Sequence, residues 1–158
     1  MGRMKRTCIS TGFSLIELMI VIALISIVSA IAVPTWQKYT ANTNLKTAAR
    51  EVMADLSNAK QRAVEENLDV YRLTFNVAGN SYAMSRTTDP GVALWTKPLT
   101  SFGSGIVIDS VHFSGSTVSF KKRGTVSIGH LILRNGPGST ATITVTITGR
   151  TYVEFTMQ

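Results

Sequence analysis

The chain has 158 residues, a formal charge of +7 and two histidines, and its single cysteine is Cys8. One cysteine permits no intrachain disulfide and no cysteine-based zinc site. No G-x-S-x-G, Walker or dinucleotide-binding pattern occurs, so the common nucleophilic and nucleotide-dependent chemistries have no visible residues here.

Residues 1–12 carry Arg3, Lys5 and Arg6 and no acid. The 21 residues from Phe13 to Val33 follow, and the only polar ones among them are Ser14, Glu17, Ser26 and Ser29. As a helix this run spans roughly 31 Å, the thickness of a bilayer's hydrocarbon core. It is too long for the apolar region of a cleaved secretory signal, and no convincing small-x-small site follows it before Pro34 and Trp36. Cys8 precedes the run, whereas a lipoprotein cysteine would follow it. A plain signal anchor survives these tests, with the basic leader held in the cytoplasm and the rest exported. That reading leaves Glu17 without a job, although a carboxylate in hydrocarbon costs on the order of 2.5 to 3.5 kcal/mol on insertion scales.

The basic leader, the Gly12-Phe13 junction, Glu17 and the long apolar run together resemble the type IV prepilin signature, which reads G, F, three residues, then E. The resemblance implies that a prepilin peptidase cuts between Gly12 and Phe13, that the new Phe13 amine is methylated, and that Cys8 leaves with the leader. It also implies that Glu17 faces the Phe13 amine of a neighbouring subunit and sets the register of a filament. Pro34 is then a helix kink at the membrane surface. The expected organisation is a cytoplasmic leader at 1–12, a transmembrane and filament-core helix at 13–34, an amphipathic helix at 35–69 and a periplasmic β-rich domain at 70–158. The protein would sit in the inner membrane as a single-pass chain before assembly.

Beyond Pro34 the apolar residues Leu45, Ala49, Val52, Leu56, Ala59 and Ala63 recur at intervals of three and four, which predicts one amphipathic helix continuing to about Leu68. This phase turns Lys46, Arg50, Asp55, Lys60 and Arg62 toward water. Glu51 and Asp55 are expected to make weak surface pairs with bases at helical spacing, with no function.

From Val70 the period becomes two. "VYRLTFNV", "AGN" and "SYAMSR" read as a hairpin. Residues 87–105 hold two prolines and three glycines, and read as a long loop or weak strands. Strands are expected at "GIVIDSVHF", "STVSFKK", "TVSIGHLILR", "ATITVTIT" and "TYVEFTM". The fold class is α+β, a long N-terminal helix packed on an antiparallel β-sheet domain.

The C-terminal half resembles the GspH/FimT group of minor pilins and pseudopilins at Phe120, Arg123, Gly124, Gly136, Gly149 and Arg150. The glycines are also ordinary turn residues. The two histidines, His112 and His130, have no other ligand type at metal spacing, and Asp109 is three residues from His112, on the opposite face of a strand. No enzyme, metal or cofactor is therefore expected.

Residues 70–158 carry eight basic against three acidic side chains. Lys121, Lys122, Arg123, Arg134 and Arg150, near turns, are candidate DNA-binding residues, since clustered cations bind phosphates without sequence preference. DNA-uptake members of the group tend to carry a second arginine two residues after the Gly-Arg, where this chain has Tyr152. The expected partners are a prepilin peptidase, other pilins or pseudopilins, the inner membrane and, as the alternative function, DNA. The residues do not distinguish a type IV pilus from a type II secretion pseudopilus.

Overall fold

The computed structural model describes residues 13–68 and 71–158. It contains one helix, α1 (Leu15–Glu65), and eight strands: β1 (Tyr71–Asn76), β2 (Ser81–Arg86), β3 (Asp89–Pro98), β4 (Val107–Val111), β5 (Thr117–Ser119), β6 (Gly129–Arg134), β7 (Thr140–Val145) and β8 (Thr151–Thr156). Short 3-10 turns lie at Leu99–Phe102 and Ser114–Ser116. The chain divides into two compact units, one ending at Gln37 and one running from Lys38 to Gln158.

In the first unit every described residue is exposed. Ser14 caps the helix, its Oγ accepting the Glu17 backbone N–H at 3.2 Å. Pro34 lies inside the helix, where it supplies no N–H to the carbonyl one turn back. The hydroxyls of Ser26 and Thr35 donate to the carbonyls one turn back, of Ile22 and Ile31.

In the second unit the helix buries Leu45, Ala48, Ala49, Val52, Asp55, Leu56, Ala59 and Ala63. This is the stripe expected from the spacing, joined by Ala48 and, against expectation, by Asp55. Four of these residues are alanines, and their small side chains let β-structure come close to the helix. The helix ends at Glu65, three residues before Leu68. Asn67 adopts φ 53°, while Leu68 N–H bonds to Ala63 O at 3.1 Å and Asn67 N–H to Val64 O at 3.2 Å. These two bonds form a Schellman cap, which satisfies the last carbonyls and turns the chain away.

The β-structure forms two four-stranded sheets, in the orders β3-β2-β1-β5 and β4-β6-β7-β8, rather than one. All pairings are antiparallel. β1 and β2 make the expected hairpin, with Leu73 opposite Met84 and Phe75 opposite Tyr82. Of residues 87–105, read as a long loop or weak strands, residues 89–98 form the ten-residue β3. β3 is an edge strand, where a proline is tolerated because one row of N–H groups needs no partner. Register shifts around Ser85 absorb the irregular start of this pairing.

The inner faces of both sheets and the helical stripe share one core, in which Tyr71, Leu73, Tyr82, Leu99, Leu131, Leu133, Ile143 and Val145 are at most 1% exposed. The first residue of β6 is a glycine, Gly129, where a side chain would overlap the His112 carbonyl and the Phe113 ring.

Candidate functional site

Four groups of residues carry chemistry, and each is built by a different part of the fold. The first is the N-terminal segment. Phe13 is 78% exposed, and the large apolar side chains from Leu15 to Val33 are all between 41% and 77% exposed. Its hydropathy and length suffice to cross a membrane. Gly12, half of the expected cleavage junction, lies outside the described residues. Glu17 stands at the third helical position, so "SLIE" has the capping-box pattern, and the Ser14 half of that box is formed. An acid here also favours the positive end of the helix dipole. The Ser14 cap depends on the Glu17 backbone, and the capping-box position gives its carboxylate a second candidate role, in helix initiation.

The second group comprises the cations. Lys121 to Gly124 form a tight turn, closed by Gly124 N–H to Lys121 O at 2.8 Å. Gly124 has φ +76° and Gly149 φ +70°, both in the left-handed region that favours glycine. At Gly136 no positive φ occurs, and the left-handed residue of that turn is Gly138. Lys60 lies between the two basic turns. Its Nζ donates to Thr148 O at 2.9 Å and to Gly149 O at 3.5 Å, and its Cε lies 3.4 Å from where a Cβ on Gly124 would stand. Val126 N–H bonds to Ile147 O at 3.1 Å, tying the turns together.

Lys121, Lys122, Arg123 and Arg150 are therefore gathered at one end of the domain, all exposed, with Lys60 between them. Lys121, Lys122, Arg123 and Thr125 line an open concavity of about 440 Å³. Arg134 is not part of this cluster. It pairs with Thr140 at the far end of β6 and β7, five residues or roughly 17 Å along the strand from the Gly129–Val145 pair that precedes the Arg150 turn. Its Nε is held by Asp109 at 2.9 Å, which offsets its charge.

The third group was not legible as a site. Asp55, expected to face water, is 7% exposed. It accepts hydrogen bonds from Tyr82 Oη at 2.7 Å and from Lys97 Nζ at 2.8 Å, and Lys97 also reaches Glu51 at 2.8 Å. The partners of the two acids thus come from β2 and β3, not from helical neighbours. Lys97 Nζ lies 5.0 Å from the centre of the Trp95 ring, which meets Tyr82 edge-on. Burial, then the Asp55 hydrogen bond and the Asp55 and Glu51 charges, push the Tyr82 hydroxyl above the ordinary tyrosine range. Burial works against the Lys97 ammonium, but the hydrogen bonds to Asp55 and Glu51 outweigh it and hold Lys97 above the ordinary lysine range. This cluster fastens helix to sheet.

The fourth group is a pair of imidazoles. His112 and His130, far apart in sequence, stack with ring centres 4.2 Å apart. Among the described residues no group of three or more His, Cys, Asp or Glu converges on a common point.

Comparison with known proteins fits the first group and the fold. Residues 10–33 match the prokaryotic N-terminal methylation motif. Two fimbrial proteins of Pseudomonas aeruginosa are each 49% identical over 59 residues, which is 37% of this chain and 38% of theirs. Fimbrial protein EcpC of Eikenella corrodens is 43% identical over 58 residues, covering 37% of this chain and 35% of its own. The chain thus aligns with less than two fifths of the length of these relatives. The crystal structure of the type IV minor pilin FimU of Pseudomonas aeruginosa PAO1 is similar with a TM-score of 0.58 at 15% identity, covering 73% of this chain and 92% of that one. The chain thus joins an N-terminal methylation motif to one long helix followed in sequence by two antiparallel sheets, the fold of a type IV pilin. Its fold is that of the minor pilin FimU.

Proposed function

We propose that this chain is a minor pilin-type structural subunit. It is made as an inner-membrane precursor with its C-terminal domain in the periplasm, cut between Gly12 and Phe13, methylated on Phe13, and drawn into a type IV pilus or a related secretion pseudopilus. The observation that carries this reading is the first unit: a helix of uncovered apolar side chains with one carboxylate, four residues from the proposed new N-terminus. Such a surface requires lipid or neighbouring helices of the same kind around it. Glu17 is proposed to meet the Phe13 ammonium of a neighbouring subunit there, and Pro34 to bend the helix where it leaves the apolar layer. Phe120, Arg123, Gly124, Gly136, Gly149 and Arg150 support placement in the GspH/FimT group.

Two variants separate the register charge from the helix cap. Glu17→Gln keeps a capping-box side chain without charge, and Glu17→Ala removes both. Both are expected to insert and be cleaved, because removing a charge eases insertion. Both should fail to co-purify with partner pilins, since losing one side of a buried pair typically costs about 3 to 5 kcal/mol, and even the lower figure is over about a hundredfold per contact. Normal incorporation of Glu17→Gln with loss for Glu17→Ala would assign Glu17 to helix initiation alone. Normal incorporation of both would remove Glu17 from assembly.

A second reading, DNA binding, is favoured by the cluster of Lys121, Lys122, Arg123 and Arg150 around Lys60. Gel-shift titrations of residues 38–158 at several salt concentrations test it. Salt-sensitive binding weakened by Lys121→Ala/Arg123→Ala supports a DNA role, and absence of binding at low salt refutes it.

A further inference from the structure

The strands bring together His112, just beyond β4, and His130 on β6. The backbone sets the juxtaposition: His112 N–H bonds to His130 O at 2.8 Å. Leu131 and Leu133 point into the core, which leaves His130 on the outer face of the sheet. There His130 is paired with Thr144, and Thr144 with Tyr152. The two rings are 22° from parallel with centres 4.2 Å apart, His112 exposed and His130 half-buried. Neither ring donates or accepts a hydrogen bond within the described residues.

We propose that His112 and His130 form a two-imidazole site for a borderline transition-metal ion, Cu²⁺ above Zn²⁺. Imidazole nitrogens suit this class of metal, and affinity for such donors peaks at Cu²⁺ among the divalent first-row ions. Two nitrogens on one tetrahedral or square-planar ion lie roughly 3 Å apart when each bond is about 2.0 to 2.1 Å. The rings, with centres 4.2 Å apart, stand close to that separation, but stacked rings aim their lone pairs nearly parallel, so binding requires the side chains to turn until two nitrogens converge on the ion. The low entropy of closing the chelate follows from this pre-arrangement, since the strand register has already fixed both side chains near each other. Water, or an oxygen donor from a neighbouring molecule, fills the remaining positions. Bound metal would clip the end of β4, an edge strand, to β6. Hard ions such as Mg²⁺ and Ca²⁺ prefer oxygen donors and should not bind here.

The test is titration of the full chain in detergent micelles with Cu²⁺, Zn²⁺ and Mg²⁺ at neutral pH, followed by calorimetry and by electron paramagnetic resonance for Cu²⁺. His112→Tyr keeps an aromatic ring to stack on His130 but removes a ligand, and His130→Gln removes the other. The expected result is one Cu²⁺ bound through two imidazole nitrogens, Zn²⁺ bound more weakly, Mg²⁺ not bound, and Cu²⁺ affinity lowered at least about tenfold in each variant. Any other copper site, such as the terminal amine, is common to all three proteins, so affinity is compared for the Cu²⁺ that carries the two-imidazole signal in the wild type. Undiminished Cu²⁺ affinity in either variant, or wild-type spectra showing a single imidazole nitrogen, overturns the proposal. So does the absence of Cu²⁺ binding.

Discussion

Replacing Lys97 with methionine should expose how much of the second unit's stability rests on the polar cluster under α1. The substitution keeps an unbranched apolar stem and removes the ammonium. Asp55, 7% exposed, then keeps only the Tyr82 hydroxyl as partner. Breaking a fully buried pair typically costs about 3 to 5 kcal/mol. Lys97 is 33% exposed at its side chain, so water partly compensates the loss, and Glu51, 42% exposed, adds little. The expected cost is about 1 to 3 kcal/mol, the range for leaving a buried acceptor short of a partner. With a urea dependence of about 1 to 3 kcal/mol per molar for a small domain, the unfolding midpoint should fall by roughly 1 M.

The pH dependence sharpens the test. The folded-state pKa of Lys97 lies above its ordinary value of 10.5 and that of Tyr82 above 10.0. For both groups the folded chain therefore holds a proton that the unfolded chain releases first. The stability they contribute is complete below about pH 10 and is lost as pH rises through their folded values. Urea denaturation of residues 38–158, followed by circular dichroism from neutral pH to pH 11, should show a steep alkaline fall in the wild type. The fall should be shallower in Lys97→Met and nearly absent when Tyr82→Phe is added. An unchanged midpoint, or an alkaline fall unaltered in the double variant, would refute this account of the cluster.

Gly12→Val should leave an uncleaved precursor, because the proposed peptidase must accommodate the junction residue, and mass spectrometry should find a methylated Phe13 terminus in the wild type alone. Gly129→Ala should destabilise the domain by at least about 2 kcal/mol, as its Cβ would overlap the His112 carbonyl and the Phe113 ring, neither free to retreat; thermal unfolding checks it. A fragment starting at Lys38 should be soluble and monomeric by light scattering without detergent, since its apolar stripe is buried in its own core. Detergent dependence would show that the boundary is misplaced.

The apolar helix, its lone acid and the strands with strict alternation could be read from the residues directly, because each depends on local periodicity. From Phe13 to Val33 the chain is apolar around its whole circumference, and no tertiary partner is needed to say that it seeks lipid or other helices. The stripe from Leu45 to Ala63 was equally legible. Asp55 was not. Its position on the buried side of that helix is made tolerable only by Tyr82 and Lys97, which β2 and β3 deliver from 27 and 42 residues away. Residues 89–98 could be read as loop or as weak strand, because proline and glycine weaken strand propensity, and pairing with β2 at an edge position decides for strand. The same holds for the basic residues. The sequence put Arg134 with Lys121, Lys122, Arg123 and Arg150, but sheet topology sets it at the opposite end of β6, against Asp109. His112 and His130 meet because strand register is a long-range property, fixed by burial of Leu131 and Leu133 against the core. What repeats along the chain is written in the chain. Which side chains face each other across two sheets depends on how burial aligns strands that are distant in sequence.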